Sequence, residues 1–281
     1  MRYPRNVDVW EYAPGRKLAE VVIRVKSVRG AVAVCNKAVA EMGVSILDGS
    51  VAATRPSRTA TWSFSVDLTD SSFSVKGFRE RLLRLPIVES VQIVPSQDGL
   101  VVDEQRFPVL WGGRRAVILR ADALTEMVDR LWDVFGTGAA TIIDQMAEAM
   151  GRHSAKEVVD DLGRDFAKDH LEALMGTYTA LGFADVALEP GWSSEPRLTV
   201  HARQLFECQA NIKRKVRRRS VFFRAHIRGF VEEIYGAEAE VEEVQCLAEG
   251  GEECSFRVSV PAAAMAPVQA RAKAREPDPQ S

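Results

Sequence analysis

The clearest chemistry in this sequence lies near its end, where Glu243, Cys246 and Cys254 fall within the run Glu-Val-Gln-Cys-Leu-Ala-Glu-Gly-Gly-Glu-Glu-Cys. A turn at Gly250-Gly251 would place one thiol on each arm of a hairpin and bring two sulfurs together, with a carboxylate three residues before the first. Two sulfurs and one oxygen suit a soft or borderline divalent metal; buried thiols without a metal are the alternative. A second group is apolar. Met146, Met150, Leu174, Tyr178, Phe222 and His226, near Gly229, recur at helical spacing. They either line a cavity with one or two orienting polar groups or pack into one another as core.

A third feature is the run Lys213 to Arg219, with six basic residues in seven. Such a run either grips a polyanion or forms a solvated loop before the next helix. No aromatic residue alternates with its charges and no helix-turn-helix or zinc-finger spacing surrounds it, which disfavours nucleic acid as a partner. Catalysis has little support. There is no Gly-rich phosphate loop and no nucleophile motif, and the histidines 153, 170, 201 and 226 are scattered.

These residues must be positioned by a chain of 281 residues that is 46% hydrophobic and 27% charged, with a formal charge of -2. That is enough to bury a core and is most simply read as two domains. No window approaches the ~18 consecutive apolar residues of a membrane span, and the first residues lack the apolar core of a signal peptide, so a cytoplasmic location is expected. The cysteines, at 35, 208, 246 and 254, do not form the dense pattern of a secreted disulfide scaffold.

Residues 17–95 read as strand, helix, strand, strand, helix, strand. Leu18 to Val25 is a β-branched run. Val32, Cys35, Val39 and Met42 recur at helical spacing until Gly43. Val44 to Thr54 and Thr59 to Leu68 form a hairpin turning at Arg55-Pro56-Ser57. Phe78, Leu82 and Leu85 mark a helix stopped by Pro86, and Val88 to Val94 closes the set. The order βαββαβ is a split βαβ, ferredoxin-like arrangement. With Gly30 at the first strand-to-helix turn, it resembles the ACT domain, a regulatory module that often binds amino acids and pairs its sheets across a dimer. The resemblance implies that backbone amides near Gly30 approach a ligand. Here the turn is Ser27-Val28-Arg29-Gly30-Ala31, without the family's Pro and acidic or amide residue, and Gly30 as a plain turn glycine is the alternative.

Residues 96–115, broken by Gly99, Pro108, Gly112 and Gly113, read as a linker in which Phe107 and Trp111 are expected to dock as buried rings. Residues 116–260 read as a second domain. Met127, Leu131, Val134 and Phe135 are followed by Ala139, Ile142, Ile143, Met146 and Met150, a helical pattern that Gly151 is expected to end. Gly136, Gly138, Ala139 and Ala140 would let another backbone pack close. A helical stretch from Ala155 to Leu181 precedes strands at Ala184 to Glu189 and Arg197 to Cys208, with a turn at Pro190-Gly191. Ser220 to Gly236 is the plainest amphipathic helix, with Ser220 as its N-cap. Strands at Ala239 to Leu247 and Glu253 to Val260 flank the last turn, and residues 261–281 read as a disordered tail. The fold class is α+β, with a ferredoxin-like front domain and helices packed on an antiparallel sheet behind it.

The region from about Phe107 to Val260 resembles the 4-vinyl reductase domain, through Phe135-Gly136-Thr137-Gly138-Ala139-Ala140, Gly191-Trp192, Gly229-Phe230 and the Glu243, Cys246, Cys254 motif. The resemblance implies a hydrocarbon-binding module like the sensor domains of phenol-responsive activators, with a fold shared by some vesicle-tethering subunits. It also implies zinc held by Glu243, Cys246, Cys254 and a fourth residue falling on Ser220, a poor ligand for which Cys208 is the candidate replacement. The resulting expectation is a homodimeric sensor without catalytic activity that takes a small apolar or aromatic ligand and signals to a protein partner. The alternatives are an enzyme or enzyme accessory acting on a hydrophobic substrate, and a dimeric scaffold.

Overall fold

A computed structural model describes residues 7, 9–53, 58–189 and 197–265. The expected turns at Arg55-Pro56-Ser57 and Pro190-Gly191, together with Trp192 and residues 266–281, lie outside the described residues. The chain divides into two units, Met1–Ile118 and Leu119–Ser281.

In the first unit the elements are β1 (Trp10–Tyr12), β2 (Leu18–Lys26), α1 (Ala31–Glu41), β3 (Ser45–Ala52), β4 (Thr59–Asp67), α2 (Val75–Leu83), β5 (Val88–Pro95), β6 (Leu100–Val102), β7 (Leu110–Trp111) and β8 (Arg114–Arg115). The main sheet has the antiparallel order β3-β4-β2-β5, as a split βαβ unit requires. Side chains alternate across a strand, so Val21, Ile23, Val25, Phe64 and Val66 share one face and pack with Cys35, Val39, Phe78 and Leu82 of the helices. Gly30 has φ 80°, and nothing stands within 4 Å of where a Cβ would be; the turn's backbone conformation is sufficient reason for the glycine.

The segment expected as a bare linker is structured within this unit. β6 pairs with β1, and β7 with β8. Phe107 and Trp111 are exposed, at 72% and 44%, contrary to the buried docking expected of them. A hairpin of two-residue strands has too little surface to cover a ring, and Phe107 is met instead by the Arg115 guanidinium, 5.0 Å from its centroid.

The second unit contains α3 (Ala121–Phe135), α4 (Ala139–Leu162), α5 (Arg164–Asp169), α6 (Leu171–Ala180), β9 (Asp185–Leu188), β10 (Arg197–Arg203), α7 (Phe206–Lys213), α8 (Phe222–Tyr235), β11 (Glu240–Gln245) and β12 (Cys254–Ser259). Its sheet is antiparallel, ordered β11-β12-β10-β9. Leu198, Val200, Ala202, Phe256 and Val258 form its buried face, where Phe256 meets Phe223 of α8 at 5.4 Å. The whole is α+β, as expected.

Several boundaries differ from the expectation, each for a local reason. Gly151 does not end its helix; α4 continues to Leu162 and breaks at Gly163, φ 90°. That break and a second at His170 divide the expected Ala155 to Leu181 helix among α4, α5 and α6. Gly136, φ 53°, closes α3, and nothing lies within 4 Å of a Cβ at Gly136 or Gly138, so the close backbone approach is elsewhere. The strand expected to reach Cys208 stops at Arg203, because Gln204 turns with φ 55° and α7 begins. The segment after Val260 opens with a 3-10 turn, Ala262–Met265, whose Ala264 carbonyl accepts from Lys168 Nζ at 2.9 Å.

Candidate metal centre and aromatic core

Cys246 follows the last residue of β11 and Cys254 opens β12, so the hairpin brings both thiols to its turn end, as the spacing predicted. A glycine is needed at 250, where φ is 100°, and a Cβ at Gly251 would stand 2.9 Å from the Cys246 carbonyl oxygen. Cys208 enters from α7. One ligand atom from each of Cys208, Glu243, Cys246 and Cys254 lies within 4.8 Å of the others, and all four residues are buried. This is the one such group among the described residues.

Three further observations fit this pocket to an ion. Cys208 Sγ and Cys246 Sγ are 3.7 Å apart, too far for a disulfide and close to the ~3.8 Å edge of a tetrahedron with metal–sulfur bonds of about 2.3 Å. Glu243 Oε2 accepts the Ser220 N–H at 2.8 Å, while Oε1 is buried without a hydrogen-bond partner. The Leu247 N–H points to Cys254 Sγ at 3.4 Å, an outer contact of the kind that fixes a metal thiolate. Without a metal, Cys208 and Cys246 hold their protons. A hydrogen bond with Cys254, then burial, pushes Cys208 up; burial and the neighbouring Glu243 push Cys246 up to about 12. A bound dication would have to release those protons.

Ser220 is not a ligand here, nor does its side chain cap α8. Its Oγ donates to Glu207 Oε2 at 2.5 Å. Glu207, one residue before Cys208 and 4% exposed, performs the capping itself: its carboxylate accepts from the N–H groups of Val221, Phe222 and Phe223 at 2.9 to 3.2 Å. Nothing local in the sequence marks it, since the cap comes from another helix. Glu207→Ala leaves these buried donors unpaired at the positive end of α8. Its expected cost is about 3 kcal/mol, read by urea unfolding at neutral pH, and a loss within experimental error would show that the clamp is dispensable.

Half of the basic run, Arg214, Arg218 and Arg219, makes internal contacts, while most of it stays exposed. Arg214 pairs with Asp129 and, at 2.7 Å, with Glu126. Arg218 lies 4.2 Å over the Trp132 ring. Arg219 donates to Glu249 and to the Glu243 carbonyl, both at 2.9 Å, which places positive charge beside the cysteine group.

The apolar constellation is brought together only in part. Tyr178, Phe222 and His226 are buried side by side, with the Tyr178 hydroxyl 2.9 Å from His226 Nδ1. Phe183, Phe223 and Phe230 surround Tyr178 edge-on, with ring centroids 5.1 to 5.9 Å away, and Phe206 meets Phe183 at 5.6 Å. These rings occupy much of the space that the sequence reading left for a hollow. Leu174 and Phe183 are half-buried, at the outer side of the cluster. Phe183 was missed because it follows Gly182, off any helical period.

Met146 and Met150 do not join this core; they are 52% and 46% exposed. The buried face of α4 is Ala139, Ile143, Ala147, Gly151 and Ala155, a row of small residues apart from Ile143 that sets the helix phase and turns both methionines outward. Gly229 does not line a pocket either. A Cβ on it would stand 2.1 Å from the Glu148 carbonyl oxygen, and one on Gly151 would stand 2.0 Å from that of His226. These two glycines form the close backbone crossing of α4 and α8. Around it Arg228 pairs with Asp144 and Glu148, and Arg152 with Glu148 and Glu232.

Burial holds the His226 imidazole neutral, lowering its pKa to about 4. The unfolded chain binds a proton below about 6.5 that the folded chain refuses until about 4. Stability should therefore fall as pH drops through that window, by about 3 kcal/mol. His226→Phe should remove this share of the acid sensitivity, visible as a smaller shift of the urea midpoint between pH 7 and pH 4.5. Equal shifts in both proteins would contradict the assignment.

The sequence matches no protein-family model and no curated protein. Its fold has distant likenesses among solved structures. The phenol-responsive sensory domain of the transcription activator PoxR, with phenol, aligns over 60% of this chain and 88% of that one, at 16% identity and TM-score 0.44. A trafficking protein particle complex subunit 3 from Naegleria fowleri, covalently bound to palmitic acid, aligns over 50% and 92%, at 16% identity and TM-score 0.38. A vinyl-4-reductase family protein from Methanocaldococcus jannaschii aligns over 53% and 99%, at 15% identity and TM-score 0.30.

Proposed function

We propose that the second unit is a small-molecule-binding sensor module whose closing hairpin and α7 are tied together by a structural zinc ion, with Cys208, Glu243, Cys246 and Cys254 as its ligands. Three thiolates and a carboxylate would carry a net negative charge with Zn2+; the N-terminus of α8 and Arg219 offset it. The zinc would fix the start of α8, which carries Phe222 and His226.

The observation that carries the ligand reading is the Tyr178–His226 pair, a polar handle enclosed by phenylalanine rings. Such a site suits an aromatic or apolar guest with one hydroxyl, which would replace Phe183 on the outer side and hydrogen-bond to His226. The reading is of binding without turnover, with the chain acting as a homodimer in the cytoplasm and passing its signal to a protein partner. No helix among the described residues is long and apolar enough to cross a membrane. Calorimetric titration of the full chain with phenol and alkylphenols tests the reading. Saturable binding is expected, weakened at least tenfold by His226→Leu; no heat and no thermal shift with any of them would overturn it.

A scaffold role is favoured by a different observation. Val134, Phe135, Ile142, Met146 and Met150 leave an apolar stripe exposed on α3 and α4, above a ring-filled interior. Under that reading Met146→Lys would dissociate an oligomer while phenols failed to bind.

A further inference from the structure

The first unit contains a polar cavity that the ferredoxin-like fold does not require. On the sheet face opposite the helices, strand register sets Asp48 (β3) beside Ser65 (β4), and Ser65 beside Glu20 (β2). A register shift between Ile46 and Asp48 gives β3 a bulge at this point, a device that re-aims a side chain. In an open sheet this row would face water. Here the β1–β6 ribbon lies over it and Glu20 is 1% exposed. Together with Trp10, Glu11, Leu47, Val101 and Asp103, the row lines a partly open cavity of about 30 Å³, room for one or two water-sized occupants.

The carboxylates around this cavity are not fully satisfied. Glu20 Oε2 receives only a long bond from the Gln105 N–H, 3.4 Å, and Glu20 Oε1 has no partner; Asp103 Oδ1 is likewise buried and unpartnered. Glu11, Glu20, Asp48 and Asp103 carry four negative charges when ionised. The cation among them, Arg106, reaches Asp103 at 2.5 Å and Asp48 at 3.3 Å. Unpaired buried carboxylates are costly, so a cation placed between the free oxygens of Glu20 and Asp103 would offset that cost.

We propose that this cavity is a binding site for a small hard divalent cation, with Glu20 Oε1, Asp103 Oδ1 and Ser65 Oγ as its protein ligands. All-oxygen donors select Ca2+, Mg2+ or Mn2+ over the soft metals suited to the cysteine group, with water completing the coordination. Because Asp103 directly follows β6 and Glu20 belongs to the main sheet, the ion pins the ribbon to the sheet.

Mn2+ alone is the probe. In a titration of the full, chelator-treated chain followed by electron paramagnetic resonance, the free Mn2+ signal should be depressed to a stoichiometry of one, and Ca2+ should restore it. Glu20→Gln and Asp103→Asn should each weaken Mn2+ binding at least tenfold, whereas Glu243→Gln, at the cysteine group, should leave it unchanged. An undepressed signal in the wild-type chain would overturn the site even if both variants failed to fold. Binding that survives Glu20→Gln would overturn the ligand assignment.

Discussion

Cys246→Ser should abolish binding of the proposed zinc and take with it about 4 kcal/mol of stability, when free zinc stands a thousandfold above its dissociation constant. That is a large part of the 5–15 kcal/mol typical of a whole domain. The size of the effect follows from where the ligands sit. Cys208 is on α7, Glu243 on β11, Cys246 at the turn and Cys254 at the start of β12, so one ion would join a helix to both arms of the hairpin. Its loss also leaves Glu243 Oε1 buried and unpartnered. Strong chelation of the wild-type protein should reproduce the shift, and zinc should reverse it. Cys35→Ala, in the first unit, should leave zinc content unchanged.

Gly151→Ala or Gly229→Ala should destabilise the same unit by about 3 kcal/mol or more, at the upper end of what overpacking usually costs. The added methyl group would stand 2.0 or 2.1 Å from a backbone carbonyl oxygen of the facing helix, and backbone cannot rotate aside as a side chain does. The two helices must separate, opening the ion pairs of Arg228 and Arg152 that bracket the crossing. Urea unfolding monitored by tryptophan fluorescence and far-UV dichroism would measure the loss. Gly138→Ala, where nothing stands within 4 Å of the new carbon, is the control and should be near neutral.

The sequence signals that succeeded were local. β-branched runs and helical spacing placed the strands and helices of the first sheet, and the Cys246/Cys254 spacing placed two thiols at one hairpin. Residues acting across elements were harder to read. Glu207 caps a helix it does not belong to. Cys208 was anticipated as a ligand but assigned to a strand, because Leu198, Val200 and Ala202 alternate up to the turn at Gln204. Met146 and Met150 have the spacing of a core face, yet Ala147 and Gly151 beside them allow α8 to approach so closely that the small residues face it and the methionines do not. Gly229 was singled out for a ligand, and its missing side chain admits a backbone instead. The β1–β6 ribbon was missed because three-residue strands are too short to show a period, and with it the burial of Glu20 was invisible.

The central claim, that α7 and the closing hairpin are joined by one ion, is tested most directly by the native mass spectrum of the full chain purified without added metal. The expected spectrum shows one zinc per chain in the wild-type protein and none in Cys208→Ser. A wild-type chain at its metal-free mass, even after incubation with zinc, would contradict it.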